Sequence, residues 1–259
     1  MYGLWLEIRP TGGLTFRRMP GAILHISTYP FVPPTTLSGW LRRLLMLTAT
    51  HYPETAVRKP EYFVLPPHYY VLGAYPSPDP LRSWRVHTTR RQGIRAFSHN
   101  AFSRLVRQRS QDEVYQLHSW EYLVADRFRG YVLHREQAAL ERLRGLTNYG
   151  CKLGKEGYAY LEGTSEVKPL QRVRMRASPA ALVPAAQMVG HPSTLYTLYR
   201  YDFAADGTDP VDLTDILPSP VRGFVPVRAG WPAEEQIELE YWTDGTVHLP
   251  VSLVELLYG

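Results

Sequence analysis

Residues 29–47, with the sequence YPFVPPTTLSGWLRRLLML, constrain the fold more than any other stretch of the chain. Two adjacent prolines hold the approach extended and exclude it from a helix. Thr35 or Thr36 would then cap the first turn of a helix. We expect Arg42 and Arg43 to point off its buried face, towards solvent or a ligand. The spacing of three and four residues that predicts this buried face is carried by Leu37, Trp40, Leu41, Leu44, Leu45 and Leu47.

The charge of the chain is divided along its length. Residues 1–200 contain 27 Lys and Arg against 13 Asp and Glu, whereas residues 201–259 contain 2 against 11. A basic body favours a polyanionic partner such as nucleic acid, while an acidic end is better suited to facing a protein or solvent. Arginine supplies 25 of the 29 basic residues. Its planar guanidinium suits phosphates and base edges, although a GC-rich genome would produce the same bias.

Composition narrows the class of protein. A chain of 259 residues with 44 % hydrophobic residues can build a real core, in one large domain or two small ones. No apolar run is long enough to span a bilayer, and the N-terminus carries charge too early for a secretory signal, so we expect a cytoplasmic protein without a membrane partner. The single Cys151 cannot form an internal disulfide. The histidines are scattered and no GxSxG motif is present, so we predict neither a metal nor a cofactor.

Residues 81–110 form the most basic stretch, with eight arginines and no acidic residue. Aromatic residues are interleaved with this charge, which is the composition of a nucleic-acid surface, since guanidinium groups neutralise phosphates and aromatic faces stack on bases. The pattern predicts a protruding β-hairpin that turns near Gln92 and Gly93. A solvated surface hairpin is the alternative.

A glycine-rich stretch follows the second predicted helix. Residues 145–163 contain five glycines together with Lys152 and Lys155, two of the four lysines in the chain. Glycines allow close approach of the backbone to a ligand, and bare amides with lysines suit phosphates. The stretch matches no nucleotide-binding fingerprint, and a merely flexible loop is the alternative.

The order of the predicted elements favours an α+β fold. Strand, helix, strand, basic hairpin, strand pair and helix follow one another, which resembles a ferredoxin-like fold with a large insertion between its second and third core strands. We interpret residues 178–191 as a connector or surface loop. Besides the first helix, the predicted elements are strands at 2–9 and 61–72, a strand pair within 114–134, a helix at 136–146, a strand at 157–163, and strands at 194–203, 237–242 and 246–251.

Three of these features together resemble a CRISPR-associated protein of the RAMP superfamily, of the Cas-five kind. They are the motif YPFVPPTTLSGWL at 29–41 after a strand and a basic loop, the Arg-rich insertion after the second strand, and the loop GCKLGKEGYAYLEG after the second helix. The resemblance covers residues 1–176. It implies a ferredoxin-like, RRM-type RAMP domain over 1–176 with a basic β-hairpin thumb inserted at about 77–112, and a smaller, acidic, β-rich C-terminal subdomain over 177–259.

The same resemblance implies a non-catalytic role in a type I Cascade complex. The protein would clamp the 5′ handle of the guide RNA (crRNA), contact the large subunit and the first backbone subunit, and use the thumb to pin the RNA. Contact between the thumb and target DNA stays an open question. The implied RNA contacts are Arg17, Arg18, Arg42, Arg43, Tyr149, Lys152 and Lys155, with Arg85, Arg90, Arg91 and Arg95 in the thumb and Phe97 or Phe102 as wedges between bases.

The alternative from the enzyme class is a metal-independent endoribonuclease that processes the precursor crRNA. Such a reaction needs a His or Tyr to deprotonate a 2′-hydroxyl and a Lys or Arg to stabilise the phosphate. Some members of the family use a tyrosine with an adjacent lysine and histidine, and this chain has no Lys-His dipeptide, so we predict no processing activity. A nucleic-acid-binding domain unrelated to CRISPR is a third hypothesis. Residues available for cleavage are His25, Tyr29, His87, His99, Tyr149 and Lys152.

Overall fold

The computed structural model describes residues 1–18, 25–49, 64–77, 81, 83–94, 115–188, 194–202 and 224–259, with the backbone alone for 91–94, 115 and 116. The predicted α+β class is confirmed, because strands predominate in these residues and three helices accompany them. In chain order the elements are β1 (Tyr2–Pro10), β2 (His25–Ile26), α1 (Pro34–Thr48), β3 (Tyr70–Pro76), β4 (Trp84–Ile94), β5 (Tyr115–Ala125), β6 (Phe128–His134), α2 (Gln137–Arg144), β7 (Gly150–Lys152), β8 (Tyr158–Thr164), β9 (Lys168–Pro169), β10 (Gln171–Ala177), β11 (Val183–Pro184), β12 (Thr194–Tyr201), β13 (Phe224–Trp231), β14 (Ile237–Thr243), β15 (His248–Pro250) and α3 (Val251–Tyr258).

The largest sheet has the strand order β3-β6-β1-β8-β7, with β9 beside β1. Its neighbouring strands are antiparallel. Helix α1 connects β1 to β3, through the short β2, and α2 connects β6 to the hairpin of β7 and β8. The order and directions of β3, β6, β1 and β8 are those that a ferredoxin-like βαββαβ arrangement requires. The strands β4 and β5 lie between β3 and β6 in the chain, where the insertion is predicted.

Helix α1 begins at Pro34, and its N-cap residue, Pro33, has an extended backbone. No side chain caps the helix, so the predicted cap by Thr35 or Thr36 is wrong; both threonines lie inside the first turn. The buried face matches the prediction except at Leu47, which is half-exposed in the last turn, outside the core cluster. The hydrophobic residues of α1 that are fully or nearly buried are Leu37, Trp40, Leu41, Leu44 and Met46.

The second core strand is displaced from its predicted position at 61–72 to Tyr70–Pro76. The described residues before it have no strand structure, because the prolines at 66 and 67 cannot donate to a ladder. Val64 and Leu65 are nevertheless buried, and the Leu65 amide donates to Ser38 Oγ at 2.9 Å. Hydrophobicity identified a buried segment here, while the proline residues decided that it is not a strand.

A second, three-stranded sheet of order β2-β5-β4, which we call the thumb sheet, contains the basic insertion. Its long strands are antiparallel along their full length, from Trp84 opposite Ala125 to Ile94 opposite Tyr115. The predicted turn at Gln92 and Gly93 is wrong, since both lie inside β4 and pair with β5. Residues 95–114, between the two strands, lie outside the described residues.

The C-terminal part contributes two further sheets, β10-β14-β15 and β11-β13-β12. The prediction of a connector or surface loop at 178–191 is wrong for its described residues, because Ala181, Leu182 and Val183 are fully buried and β11 pairs with β13. Strand β13 and helix α3 have no counterpart in the prediction. The division of the chain after residue 176 stays a prediction; this boundary falls within β10, which pairs with β14.

The acidic end of the chain pairs with part of the basic body. Three arginines of β10 form ion pairs of 2.5–3.0 Å with glutamates 234, 238 and 240. These pairs are largely exposed, so each adds little to stability, but together they neutralise the arginines of β10. Within the described residues, no helix combines the length and the hydrophobicity needed to cross a bilayer.

A test of the fold concerns His134, at the end of β6. The side chain is buried, its Nδ1 accepts the Glu136 amide at 2.8 Å, and burial lowers its pKa below the ordinary value of 6.5. Below about pH 6.5 the unfolded state therefore binds a proton that the folded state does not, and stability decreases as the pH falls. We expect the free-energy cost of His134→Asn, measured by urea denaturation, to be smaller at pH 5 than at pH 7. The exposed His87→Asn is the control; an equal cost for His134→Asn at both pH values would contradict this assignment.

Candidate nucleic-acid interface

A cavity of about 400 Å³, open to solvent, lies at the N-terminal end of α1. We call it the basic cavity, because its described lining contains four basic residues and no acidic one. The segment after β1, the first half of α1, the loop between β7 and β8, and β12 form its walls. Its lining consists of Phe16, Arg17, Tyr29, Pro33, Thr35, Thr36, Gly39, Trp40, Arg43, Lys152, Leu153, Gly154, Lys155, Leu198 and Tyr199.

Four residues predicted from sequence as RNA contacts meet at this cavity: Arg17, Arg43, Lys152 and Lys155. Within the described residues, Arg17, Arg43 and Lys152 have no carboxylate partner, in contrast to the arginines of β10. The buried Nε of Arg17 also has no hydrogen-bond partner there. Like charges gathered around one cavity repel one another unless an anion joins them, so the arrangement fits an anionic ligand.

The helix end adds to this positive potential. The first amides of an α-helix have no intrahelical acceptor, and the aligned peptide dipoles give that end a partial positive charge. In α1 the N-cap residue is a proline, no side chain caps the turn, and the first turn holds no acidic residue. Thr35, Thr36 and Gly39 present this turn to the basic cavity. A phosphate group is the ligand that such a helix end favours.

The glycine-rich loop reaches the cavity because its glycines permit a close approach to residues 14–16. Gly154 has a φ of +77°, and a Cβ there would lie 2.7 Å from the Thr15 carbonyl oxygen. The Lys155 amide donates to the same carbonyl at 2.9 Å, and the Thr15 amide donates to Glu156 at 3.1 Å. These contacts hold both lysines beside Arg17.

The loop also touches the thumb sheet. The Lys155 ammonium lies 4.6 Å from the centroid of the Trp120 ring on β5, and the Tyr122 hydroxyl lies 3.4 Å from a Glu156 carboxylate oxygen. The thumb sheet and the glycine-rich loop are therefore neighbours, as binding to one strand requires. Arg85 on the adjacent β4 is exposed and does not line the basic cavity.

The remaining predicted contacts lie outside the cavity. Arg18 is exposed, with its guanidinium 5.3 Å from the centroid of the Tyr196 ring. Arg42 is half-buried, Arg90 is exposed on β4, and Tyr149 is 48 % exposed at the start of the glycine-rich loop. The other predicted residues lie outside the described residues: the Arg91 side chain and the whole of Arg95, Phe97, His99 and Phe102.

Sequence reasoning missed several cavity residues. Trp40 was assigned to the core, and it is buried, but its ring also lines the cavity and its Nε1 donates to the Cys151 carbonyl at 3.4 Å. Leu198 and Tyr199 come from β12, and no local pattern connects that strand to α1. The Tyr29 hydroxyl makes this connection by donating to the Thr197 carbonyl.

Groups suited to catalysis are sparse in the described part of the chain, where no three His, Cys, Asp or Glu side chains cluster to hold a metal ion. Burial raises the pKa of the Cys151 thiol despite the nearby Arg43, which keeps the thiol protonated and a poor nucleophile. One histidine is oriented by a carboxylate: His25 Nε2 lies 3.0 Å from Glu121 Oε1, and Glu121 Oε2 accepts the Thr28 amide at 2.9 Å.

A glycine substitution tests the loop geometry. We expect Gly154→Ala to destabilise the protein by about 2 kcal/mol or more, because a side chain at positive φ is strained and its Cβ would collide with the Thr15 carbonyl. The displaced lysines should also weaken binding of single-stranded RNA. Gly163→Ala is the matched control, since its Cβ would meet nothing within 4 Å. Chemical denaturation measures both variants, and equal stability of the two would show that the loop is not held as described.

No protein-family model and no curated protein sequence matches this chain. Among solved structures, it is similar to a CRISPR protein from Archaeoglobus fulgidus, with 12 % identity over 95 % of this chain and 97 % of that chain and a TM-score of 0.42. It is also similar to a chain in type III-B Cmr-beta bound to cognate target RNA and AMPPnP, with 13 % identity over 92 % of this chain and 86 % of that chain and a TM-score of 0.46. TM-scores below 0.5 do not establish a common fold, so the basic cavity itself is the basis for inferring function.

Proposed function

We propose that this protein is a non-catalytic subunit of a CRISPR surveillance complex that binds single-stranded guide RNA in the basic cavity. One observation carries the RNA-binding proposal: Arg17, Arg43, Lys152 and Lys155 surround the uncapped start of α1 without an acidic neighbour in the described lining. The CRISPR context comes from the sequence resemblance, whose most specific motif, at 29–41, forms one wall of this cavity.

The cavity combines the two kinds of contact that single-stranded RNA requires. Guanidinium groups, ammonium groups and the helix end neutralise backbone phosphates, which positions the strand. The half-buried Tyr199 offers aromatic surface for a base or ribose, beside the buried Tyr29 and Trp40 that also line the cavity. The size of the cavity admits a short piece of one strand and excludes a duplex.

The thumb sheet extends this surface. From the cavity, the strand would pass Lys155 and Trp120 and reach Arg85, which lies on the same face of the thumb sheet as Trp120. Arg90 lies on the opposite face of β4, the edge strand of this sheet. Both arginines are exposed and have no carboxylate partner in the described residues. In the proposed complex the ligand is the 5′ handle of the crRNA. The protein partners are the backbone and large subunits of a cytoplasmic, Cascade-type complex, as the sequence resemblance implies.

The double variant Arg43→Ala/Lys152→Ala tests the cavity. We expect it to bind single-stranded repeat RNA at least about tenfold more weakly at 150 mM salt, because two phosphate contacts are lost. The slope of log K against log salt should become less negative by about 1.4, from about 0.7 for each contact. Fluorescence anisotropy over a salt series measures both quantities.

The control removes the same charge elsewhere. In Arg174→Ala/Arg176→Ala the lost groups are exposed and already paired with Glu238 and Glu234. We expect this variant to keep the wild-type affinity and slope. Equal losses in the two variants would show that RNA responds to net charge alone, and the cavity assignment would be wrong.

The second candidate function, a metal-independent endoribonuclease, is favoured by the pairing of His25 with Glu121. A carboxylate that orients an imidazole is a common arrangement for a general base. Thr28, whose amide holds Glu121, also pairs with Arg17 of the basic cavity, so this histidine lies close to the proposed RNA path. The chain lacks the adjacent lysine and histidine used by processing members of the resembled family, and we retain the non-catalytic proposal.

Incubation of the purified protein with repeat RNA in EDTA separates the two functions. We expect the RNA to stay intact over hours with both the wild-type protein and His25→Ala. Denaturing gels of end-labelled RNA measure this. Specific cleavage that disappears in His25→Ala but persists in His87→Ala, on the exposed face of β4, would establish the endoribonuclease instead.

A further inference from the structure

A second cavity, of about 420 Å³, shares no lining residue with the basic cavity. We call it the aromatic cavity, and its walls come from four sheets. The largest sheet contributes Tyr75, Arg129 and Tyr131, the thumb sheet contributes Trp84, and the C-terminal sheets contribute Trp231 and His248. Its described lining contains no acidic residue. A cavity at the junction of four sheets is held in shape by all of them, which suits a binding site.

The walls offer flat aromatic surface. The Tyr75 ring meets the Trp231 ring edge-on at a centroid distance of 5.3 Å and the Tyr131 ring at 6.2 Å. Trp84 is 51 % exposed, although a tryptophan of the core would be buried. An exposed indole beside two packed aromatic rings provides a surface on which another planar ring can stack.

Three polar groups face this surface with unused hydrogen-bonding capacity. Tyr131 is only 4 % exposed, and its hydroxyl has no hydrogen-bond partner among the described residues. Burial raises the pKa of Tyr131 to about 12, so the hydroxyl stays protonated and can donate. His248 binds Thr243 through Nδ1 at 3.0 Å, which leaves Nε2, and Arg129 binds Glu7 through Nε at 3.0 Å, which leaves its terminal nitrogens.

We propose that the aromatic cavity binds an unstacked nucleobase, stacked on Trp84 and hydrogen-bonded along its edge by Tyr131, His248 and Arg129. This inference rests on the proposed RNA-binding function. Trp84 is the first residue of β4, and the exposed Arg90 lies on the same face of this strand, so an RNA strand bound along that face would carry a base past the mouth of the cavity. A proline-rich peptide also suits aromatic grooves, but the nearby arginines and the absence of acidic lining favour a nucleotide.

The base can come from the bound RNA or from a free nucleotide, and both are tested. In the first arm, RNAs that each lack one base, at successive positions, are titrated against the wild-type protein and Trp84→Ala. We expect one abasic position to weaken wild-type binding about tenfold, as loss of one stacked base does. Trp84→Ala should bind intact RNA equally weakly and show no further loss with that abasic RNA.

Matched variants separate stacking from folding. Trp84→Phe should keep most of the affinity, since a flat ring remains, and Tyr131→Phe should lose only the contribution of the hydroxyl. Val86→Ala, two residues along the same exposed strand and outside the cavity lining, should bind as the wild type does. Additive losses from Trp84→Ala and every abasic RNA would overturn the proposal.

In the second arm, adenosine, guanosine, cytidine and uridine monophosphates are titrated against protein labelled with 5-fluorotryptophan. Shifts of the Trp84 and Trp231 signals, assigned with Phe variants, would support the nucleobase site and identify a free nucleotide as a source. Shifts of these signals with decaproline, and none with RNA or nucleotides, would overturn it.

The basic-cavity variant Arg43→Ala/Lys152→Ala separates this proposal from the proposed function. It should weaken the binding of intact and of abasic RNA by the same factor. If that variant binds RNA with the wild-type affinity, while Trp84→Ala still shows no further loss with the critical abasic RNA, the proposed function fails and the nucleobase site stands.

Discussion

The packing of Phe31 is the interaction on which the rest of the structure depends. Its ring is buried and lies 5.4 Å from Tyr29, 5.6 Å from Tyr75 and 5.0 Å from Tyr196, centroid to centroid. These partners belong to the segment before α1, to the largest sheet and to β12, so one side chain joins three parts of the fold. The adjacent Val32 pairs with Ala74 through two backbone hydrogen bonds of 2.7 and 3.0 Å. This clamp fixes where α1 begins, and it contributes Tyr29 to the lining of the basic cavity and Phe31 to that of the aromatic cavity.

Charge pairing, rather than charge itself, distinguishes the candidate site. The chain carries many arginines, and a count along the sequence gives those of β10 the same weight as those near α1. The structure separates them, because Arg172, Arg174 and Arg176 have glutamate partners from the acidic end of the chain. Arg17 and Arg43 have none in the described residues and share their cavity with two lysines. An acidic segment can therefore sharpen a basic site by neutralising competing surface elsewhere.

Local patterns predicted the parts of the fold that local physics determines. The apolar spacing and the two prolines indicated α1, and clustered glycines and lysines indicated the loop that reaches the basic cavity. Features that join distant segments could not be predicted in this way. Trp40 was assigned to the core because burial and cavity lining have the same hydrophobic signature. Leu198 enters the site only because Tyr29 binds β12, and Trp84 lines the same cavity as Trp231, which is nearly 150 residues away in the chain.

The uncapped start of α1 connects ligand binding to stability. A proline at the N-cap position cannot supply the side-chain oxygen that normally satisfies the first amides, and the repulsion among Arg17, Arg43 and the two lysines adds to this cost. A phosphate in the cavity satisfies the amides and offsets the repulsion at the same time. A ligand that binds only the folded state stabilises it, and the more so the further its concentration exceeds its Kd. The proposed RNA would therefore also stabilise this region of the fold. The lack of a cap and the clustered positive charge, which are unfavourable for the fold, are the same features that would favour a polyanion in the proposed site.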